Sequence, residues 1–179
     1  MSLSVVDVVR AFDFAAKKHV DQRRKGATAE PYINHPAEVA RLVIEATGGS
    51  DLVVVLGAIL HDTIEDTQTT REEITELFGP DVAALVAEVT DDKSLEKAVR
   101  KQLQIDHAPH KSTRAKIIKI ADKTSNLLAL ATSPPPTWDH ARRQQYYEWA
   151  AKVVAGCRGV NAQLEAGFDE AHRAGLAKL

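Results

Sequence analysis

The stretch "SDLVVVLGAIL", Ser50 to Leu60, decides the fold. Val53, Val54 and Val55 are β-branched, so composition alone would allow a strand. The segments on either side carry helical patterning, however, and no partner strand appears in the chain. The stretch is therefore read as a central buried helix. It runs without a break into "HDTIEDT", where His61, Asp62, Glu65 and Asp66 fall within six residues. Buried charge is costly unless it is paired or binds a metal. Either this cluster lies at the surface, or a positive group belongs beside it.

The patterning outward from this stretch predicts helices almost throughout. "SVVDVVRAFDFAAKKH" spaces Val5, Val9, Phe12 and Ala16 along one face. "HPAEVARLVIEATGG" places Pro36 near a helix start and Gly48 at its C-cap. "TTREEITELFG" offers a capping box, Thr70 with Glu73, and stops at Gly79. "STRAKIIKIADKTSNLLALA" is a long helix capped by Ser112, and "TSPPPTW" is the one strong linker, because three prolines cannot continue a helix. "DHARRQQYYEWAAKVVAG" and "VNAQLEAGFDEAHRAG" close the chain. The expectation is a single all-α bundle of about eight to ten helices over residues 1–179.

Composition narrows the function. Hydrophobic residues make up 44% and charged residues 27% of 179, an ordinary globular balance. The formal net charge of −2 argues against a general nucleic-acid binder. An anionic ligand would have to be met by local cations or a metal. One cysteine, Cys157, leaves no internal disulfide and no cysteine-based zinc site. No apolar run is long enough for a membrane span, and Asp7 and Arg10 interrupt any signal peptide. These features point to a cytoplasmic protein.

Three places carry candidate chemistry. In a continuous helix His61 would share a face with Glu65, and Asp62 with Asp66. That suits a divalent cation, but Asp62 and Asp66 would serve equally as turn and cap residues beside a half-buried His61. In "PYINHP", His35 stands just before Pro36 at a helix start, which is a rigid position for a ligand. In "IIKIADKTSN", Asp122 lies among Ile117, Ile118, Ile120 and Ala121, and an aspartate there needs a partner. Lys123, being adjacent, is expected to point elsewhere, whereas Asn126 shares the face of Asp122. A salt bridge to another helix would also satisfy Asp122. The sharper reading brings His35, His61, Asp62 and Asp122 to one metal.

The pattern His…His-Asp…Asp in an all-helical chain resembles the HD-domain phosphohydrolase superfamily. "RRK", "PYINHP", "HDTIEDT", "TDDKSLEK", "HAPHKS", "IKIADK" and "YYEWAAKVV" are similar, in that order, to the small alarmone hydrolases. These are the stand-alone, Mesh1-type relatives of the hydrolase half of RelA/SpoT proteins, and the likeness runs from about Ala11 to Leu176. It implies that His35, His61, Asp62 and Asp122 hold Mn²⁺, and that Glu65 and Asp66 form the catalytic acidic pair. The implied substrate is (p)ppGpp, cleaved at its 3′-pyrophosphate to GDP or GTP and pyrophosphate. Arg24 and Lys25 match a base-contacting pair and Asn126 a residue near the sugar. The bland reading of "DQRRKG" is a solvated helix end.

Other contacts are read from spacing. Arg142 and Tyr146, four apart, could hold a phosphate and a ribose or base. Lys97 and Lys101, also four apart, would either meet distal phosphates or form a charged face. Tyr147 and Trp149 are expected in the core. One departure is Leu128, where relatives commonly carry an arginine, which puts one polar contact in question. The chain has no synthetase, TGS or ACT region and is expected to degrade alarmone without making it. A competing activity on the same metal site is removal of a phosphate from another nucleotide such as NADPH. The sequence does not specify an oligomeric state.

Overall fold

The computed structural model describes residues 3–179. Among them are ten α-helices and one 3-10 turn, with an isolated Arg23–Pro31 bridge as the only β pairing. The helices are α1 (Val5–Lys18), α2 (Asn34–Thr47), α3 (Leu52–Leu60), α4 (Thr63–Asp66) and α5 (Arg71–Phe78). Then come α6 (Pro80–Val89), α7 (Lys97–His107), α8 (Thr113–Thr132), α9 (His140–Ala155) and α10 (Ala162–Leu176), with the 3-10 turn at Ala108–His110. The all-α expectation holds.

The central stretch is a helix, α3. Asp51 starts it by accepting a hydrogen bond from the Val53 amide at 3.1 Å. Every residue from Val54 to Leu60 is buried. A helix apolar on all sides belongs inside a bundle, and α3 packs against α1, α2, α6 and α8. Gly57 permits the close approach of two of these neighbours. A Cβ there would lie 2.7 Å from Leu85 Cδ2 and 3.0 Å from Ile118 Cδ1. Burying a side chain the size of Leu56 or Ile59 stabilises by roughly 1.5–3 kcal/mol, and this one cluster contains most of the core.

The caps follow the sequence signals. Gly48 ends α2 in the left-handed region at φ 70°, where a Cβ would be strained. Gly79, at φ 91°, separates α5 from α6, and Pro80 opens the next helix. Thr70 caps α5 through the Glu73 amide. The Glu73 carboxylate does not complete a capping box; it meets Lys18 instead. Ser112 caps α8.

The helix α8 crosses the bundle and packs on α2, α3, α6, α9 and α10. Its centre buries polar as well as apolar residues, including Lys119, Asp122, Lys123 and Ser125. By contrast, α7 buries no residue at all and rests chiefly on α9 and the 3-10 turn.

One helix, α10, gives a clean test of this packing. Gly175 is buried, and a Cβ on it would fall 2.2 Å from Oη of Tyr147, itself 1% exposed. Gly167 is exposed with nothing within 4 Å. Gly175→Ala is expected to destabilise by about 1–3 kcal/mol through overpacking. Gly167→Ala should stabilise by about 0.5–1 kcal/mol through helix propensity. Urea unfolding midpoints of the two variants check both signs.

Candidate metal centre and substrate cleft

The apolar helix does not continue through the charged cluster. It ends at Leu60, and α4 begins afresh at Thr63. Side chains take the carbonyls that the helix end leaves free. His61 Nδ1–H donates to Ala58 O at 2.8 Å, and the Thr63 hydroxyl donates to Leu60 O at 2.7 Å. The expected continuous face of His61 with Glu65 is therefore replaced by a turn. That turn swings Asp62 towards α2.

There the cluster assembles. His35, His61 and Asp62 offer ligand atoms that all lie within 4.8 Å of one another. His35 Nε2 is 3.6 Å from Asp62 Oδ2, and His61 Nε2 is 3.0 Å from the same oxygen. Asp122 stands beside this set, with Oδ1 3.3 Å from His35 Nε2. Its carboxylate is also engaged on its own helix, accepting from Asn126 Nδ2 at 2.6 Å and from Lys123 Nζ at 2.8 Å. The expectation that Lys123 points elsewhere is thus corrected. Its long chain bends back, and its ammonium lies 4.6 Å from the centre of the Trp149 ring.

The donor set fits a divalent cation. Both imidazoles carry a proton on Nδ1. His61 donates it to the Ala58 carbonyl. His35 shares it with Ser125 Oγ at 2.9 Å, and Ser125 passes its own hydroxyl proton to Glu38 Oε2 at 2.7 Å. That leaves Nε2 as the atom each ring turns towards the carboxylates, the one free to ligate once its proton is displaced by a cation, and His61 Nε2 is buried without a hydrogen-bond partner. Fixing the tautomer through the far nitrogen is how metal-binding histidines are oriented. Burial alone would lower the His61 imidazole, but Asp62 and Asp122 overturn this and raise it to about 9. Burial lowers His35. Asp62, despite its burial, is held well below the usual carboxylate range by His61 and His35.

The cluster forms the floor of an open cleft of about 870 Å³. Ten basic side chains and six carboxylates line it, so the cleft is locally positive in a chain of net charge −2. Glu65 and Asp66 lie at one edge. Burial raises the Glu65 carboxyl, while the Asp91 amide donates to its Oε2 at 3.0 Å and opposes the shift. Asp66 accepts from Gln22 Nε2 at 3.0 Å and pairs with Lys93.

The remaining sequence-derived residues, Arg24, Lys25, Lys97, Lys101, Asn126, Arg142 and Tyr146, all line the same cleft. Burial and mutual repulsion among Lys25, Lys97, Arg100 and Arg142 lower the Lys97 ammonium. Arg24 Nη2 donates to Asn126 Oδ1 at 3.4 Å.

One expectation changes. Tyr147 is in the core, but Trp149 is half-buried and forms cleft wall beneath Lys101 and Lys123. Leu128 packs against the core and does not itself line the cleft, although Ala129 and Leu130 beside it do. Residues that sequence reasoning missed include Tyr32, whose hydroxyl donates to Asp62 Oδ2 at 2.6 Å. Others are Gln22, Lys119, Arg100 and Trp138, over whose ring Arg142 lies at 4.7 Å. Tyr32 stands inside the quoted "PYINHP" and Gln22 inside "DQRRKG"; both were legible as neighbours but not as contacts.

Residues 11–160 match the HD domain family. A relative from Homo sapiens, guanosine-3′,5′-bis(diphosphate) 3′-pyrophosphohydrolase MESH1, is 50% identical over 165 residues, 92% of each chain. The Xenopus tropicalis protein of the same name is 50% identical over 169 residues, 94% of each. The chain belongs to the MESH1 group of HD-domain proteins. A solved structure described as "A metazoan ortholog of SpoT hydrolyzes ppGpp and plays a role in starvation responses" superposes with a TM-score of 0.91. It is 46% identical and covers 97% of both chains.

In this cluster the Ser125 hydroxyl touches His35 and the Tyr32 hydroxyl touches Asp62, both candidate ligands. Ser125→Ala or Tyr32→Phe should weaken divalent-cation binding by about 10–100-fold while leaving the fold intact. Calorimetric titration with Mn²⁺ and circular dichroism together check this.

Proposed function

We propose that the chain is a Mn²⁺-dependent (p)ppGpp 3′-pyrophosphohydrolase acting in the cytoplasm. The observation that carries this reading is the joining, in one cleft, of a His-His-Asp cluster with an excess of cations, ten basic side chains against six carboxylates. Relatives at about half identity, named for this activity, support it.

His35, His61, Asp62 and Asp122 would hold the metal, and imidazole nitrogens mixed with carboxylate oxygens suit Mn²⁺. When bound, the cation acidifies water and offsets phosphate charge. Water adds to the phosphorus joined to the ribose 3′-oxygen; the bond to that oxygen breaks, and the 3′-oxygen takes up a proton. Glu65 accepts the proton of the attacking water, a role favoured by its raised pKa and its anchoring to the Asp91 amide. Asp66 completes the acidic pair. Lys97, Lys101 and Arg142 meet the phosphates, whose charge relieves the repulsion among these cations. Arg24 and Lys25 contact the base, Arg24 by stacking its planar guanidinium. Asn126 and Tyr146 border the sugar.

Metal-stripped protein should release GDP and pyrophosphate from ppGpp only after Mn²⁺ is added. Asp62→Ala and Glu65→Ala should each lower kcat by at least about a hundredfold. NADPH run in parallel should be a poor substrate. Dephosphorylation of NADPH without cleavage of ppGpp would overturn the substrate assignment while keeping the metal site.

A further inference from the structure

His19 is a buried histidine that the site does not account for. It is 2% exposed, forms the C-cap of α1 and does not line the cleft. Its ring nonetheless stands behind both acidic groups. Nδ1 is 2.7 Å from Gln22 Oε1, and Gln22 Nε2 donates to Asp66 Oδ2 at 3.0 Å. The ring also packs against Tyr32 with centroids 5.0 Å apart, and Tyr32 donates to Asp62.

The direction of this chain is fixed by chemistry. An ionised carboxylate only accepts hydrogen bonds, so the amide nitrogen of Gln22 must face Asp66. The amide oxygen then faces His19, and the proton of the ring must sit on Nδ1. His19 Nε2 is buried with no partner, so nothing draws the proton to the other nitrogen. Reversing the amide would set oxygen against oxygen at Asp66 and NH₂ against N–H at His19.

We propose that His19 is a positioning residue for hydrolysis. Its Nδ1–H orients the Gln22 amide, and that amide holds Asp66 in its working rotamer. This rests on the reading of Asp66 as part of the catalytic pair. Asp66 has one other partner, Lys93, which is half exposed on a loop. Without Gln22 the carboxylate would follow that exposed ammonium instead of a relay anchored on a buried ring.

The test is a set of single and double variants, assayed for ppGpp hydrolysis with Mn²⁺ and for thermal unfolding. Gln22→Leu and His19→Phe should each lower kcat by about 10–100-fold with KM changed less than about threefold. His19→Asn, whose side-chain NH₂ can replace Nδ1–H, should recover most of the loss. The double variant His19→Phe/Gln22→Leu should be no worse than Gln22→Leu alone, because the two act in series. Asp66→Asn sets the floor. If it retains full activity, the role of Asp66 and with it this proposal fall, while cleavage of ppGpp by the unaltered protein leaves the broader reading in place. Additive losses in the double variant, or a lower Tm with unchanged kcat, would reduce His19 to a packing residue.

A second measurement does not depend on turnover. Long-range ¹H–¹⁵N spectra of Mg²⁺-loaded protein should show the Nδ1–H form for the signal that His19→Asn removes. The Nε2–H form would overturn the relay whatever the substrate proves to be.

Discussion

A helix with nine apolar residues in succession cannot bury its own end cheaply. The last carbonyls of α3 have no amide above them, and burial keeps water away. His61 and Thr63 supply the missing donors from their side chains, and the helix turns as it does so. The same act fixes the histidine tautomer, directs its second nitrogen to the bundle centre and sets Asp62 against α2. Termination of the core helix and assembly of the His-His-Asp cluster are thus one event. The placement of Glu65 and Asp66 follows from it, since the short α4 begins where the turn ends.

Much of this was legible in the sequence. The all-helical fold followed from periodicity, once the valine run was judged by its neighbours and not by its own β propensity. His35 was legible because Pro36 pins the chain beside it, and His61 and Asp62 because charge follows directly on an apolar run. The break after Leu60 was not legible, because spacing four apart looks the same whether a helix continues or restarts. Lys123 misled for a related reason. Neighbours on a helix diverge at Cβ, but four methylenes can bring an ammonium back, and an aromatic face gives it somewhere to rest. Trp149 looked like core because it is large and apolar; it packs against the core from its edge and also offers a face on which two lysines lie.

The division of charge across the cleft has its own logic. The acidic groups around the cluster come from the turn after α3, from α4 and from α8, all continuous with the core. Several of the cations come from α7, α9 and the 23–31 segment. The floor is therefore buried and negative around a candidate cation site, and the walls are positive and less deeply anchored. A ligand carrying several phosphates would meet metal and lysine charge together, which neither half could supply alone. The net charge of the whole chain hides this separation completely.

The loose seating of α7 bears on how such proteins diverge. A helix with no buried residue adds little to global stability, and its local unfolding lies at the low end of the free-energy scale. Substitutions along it therefore escape the constraint that keeps core residues fixed. Lys97, exposed on this helix, can be exchanged or reversed in charge without endangering the bundle. Substrate preference on this scaffold can drift through one helix while the hydrolytic floor stays constant.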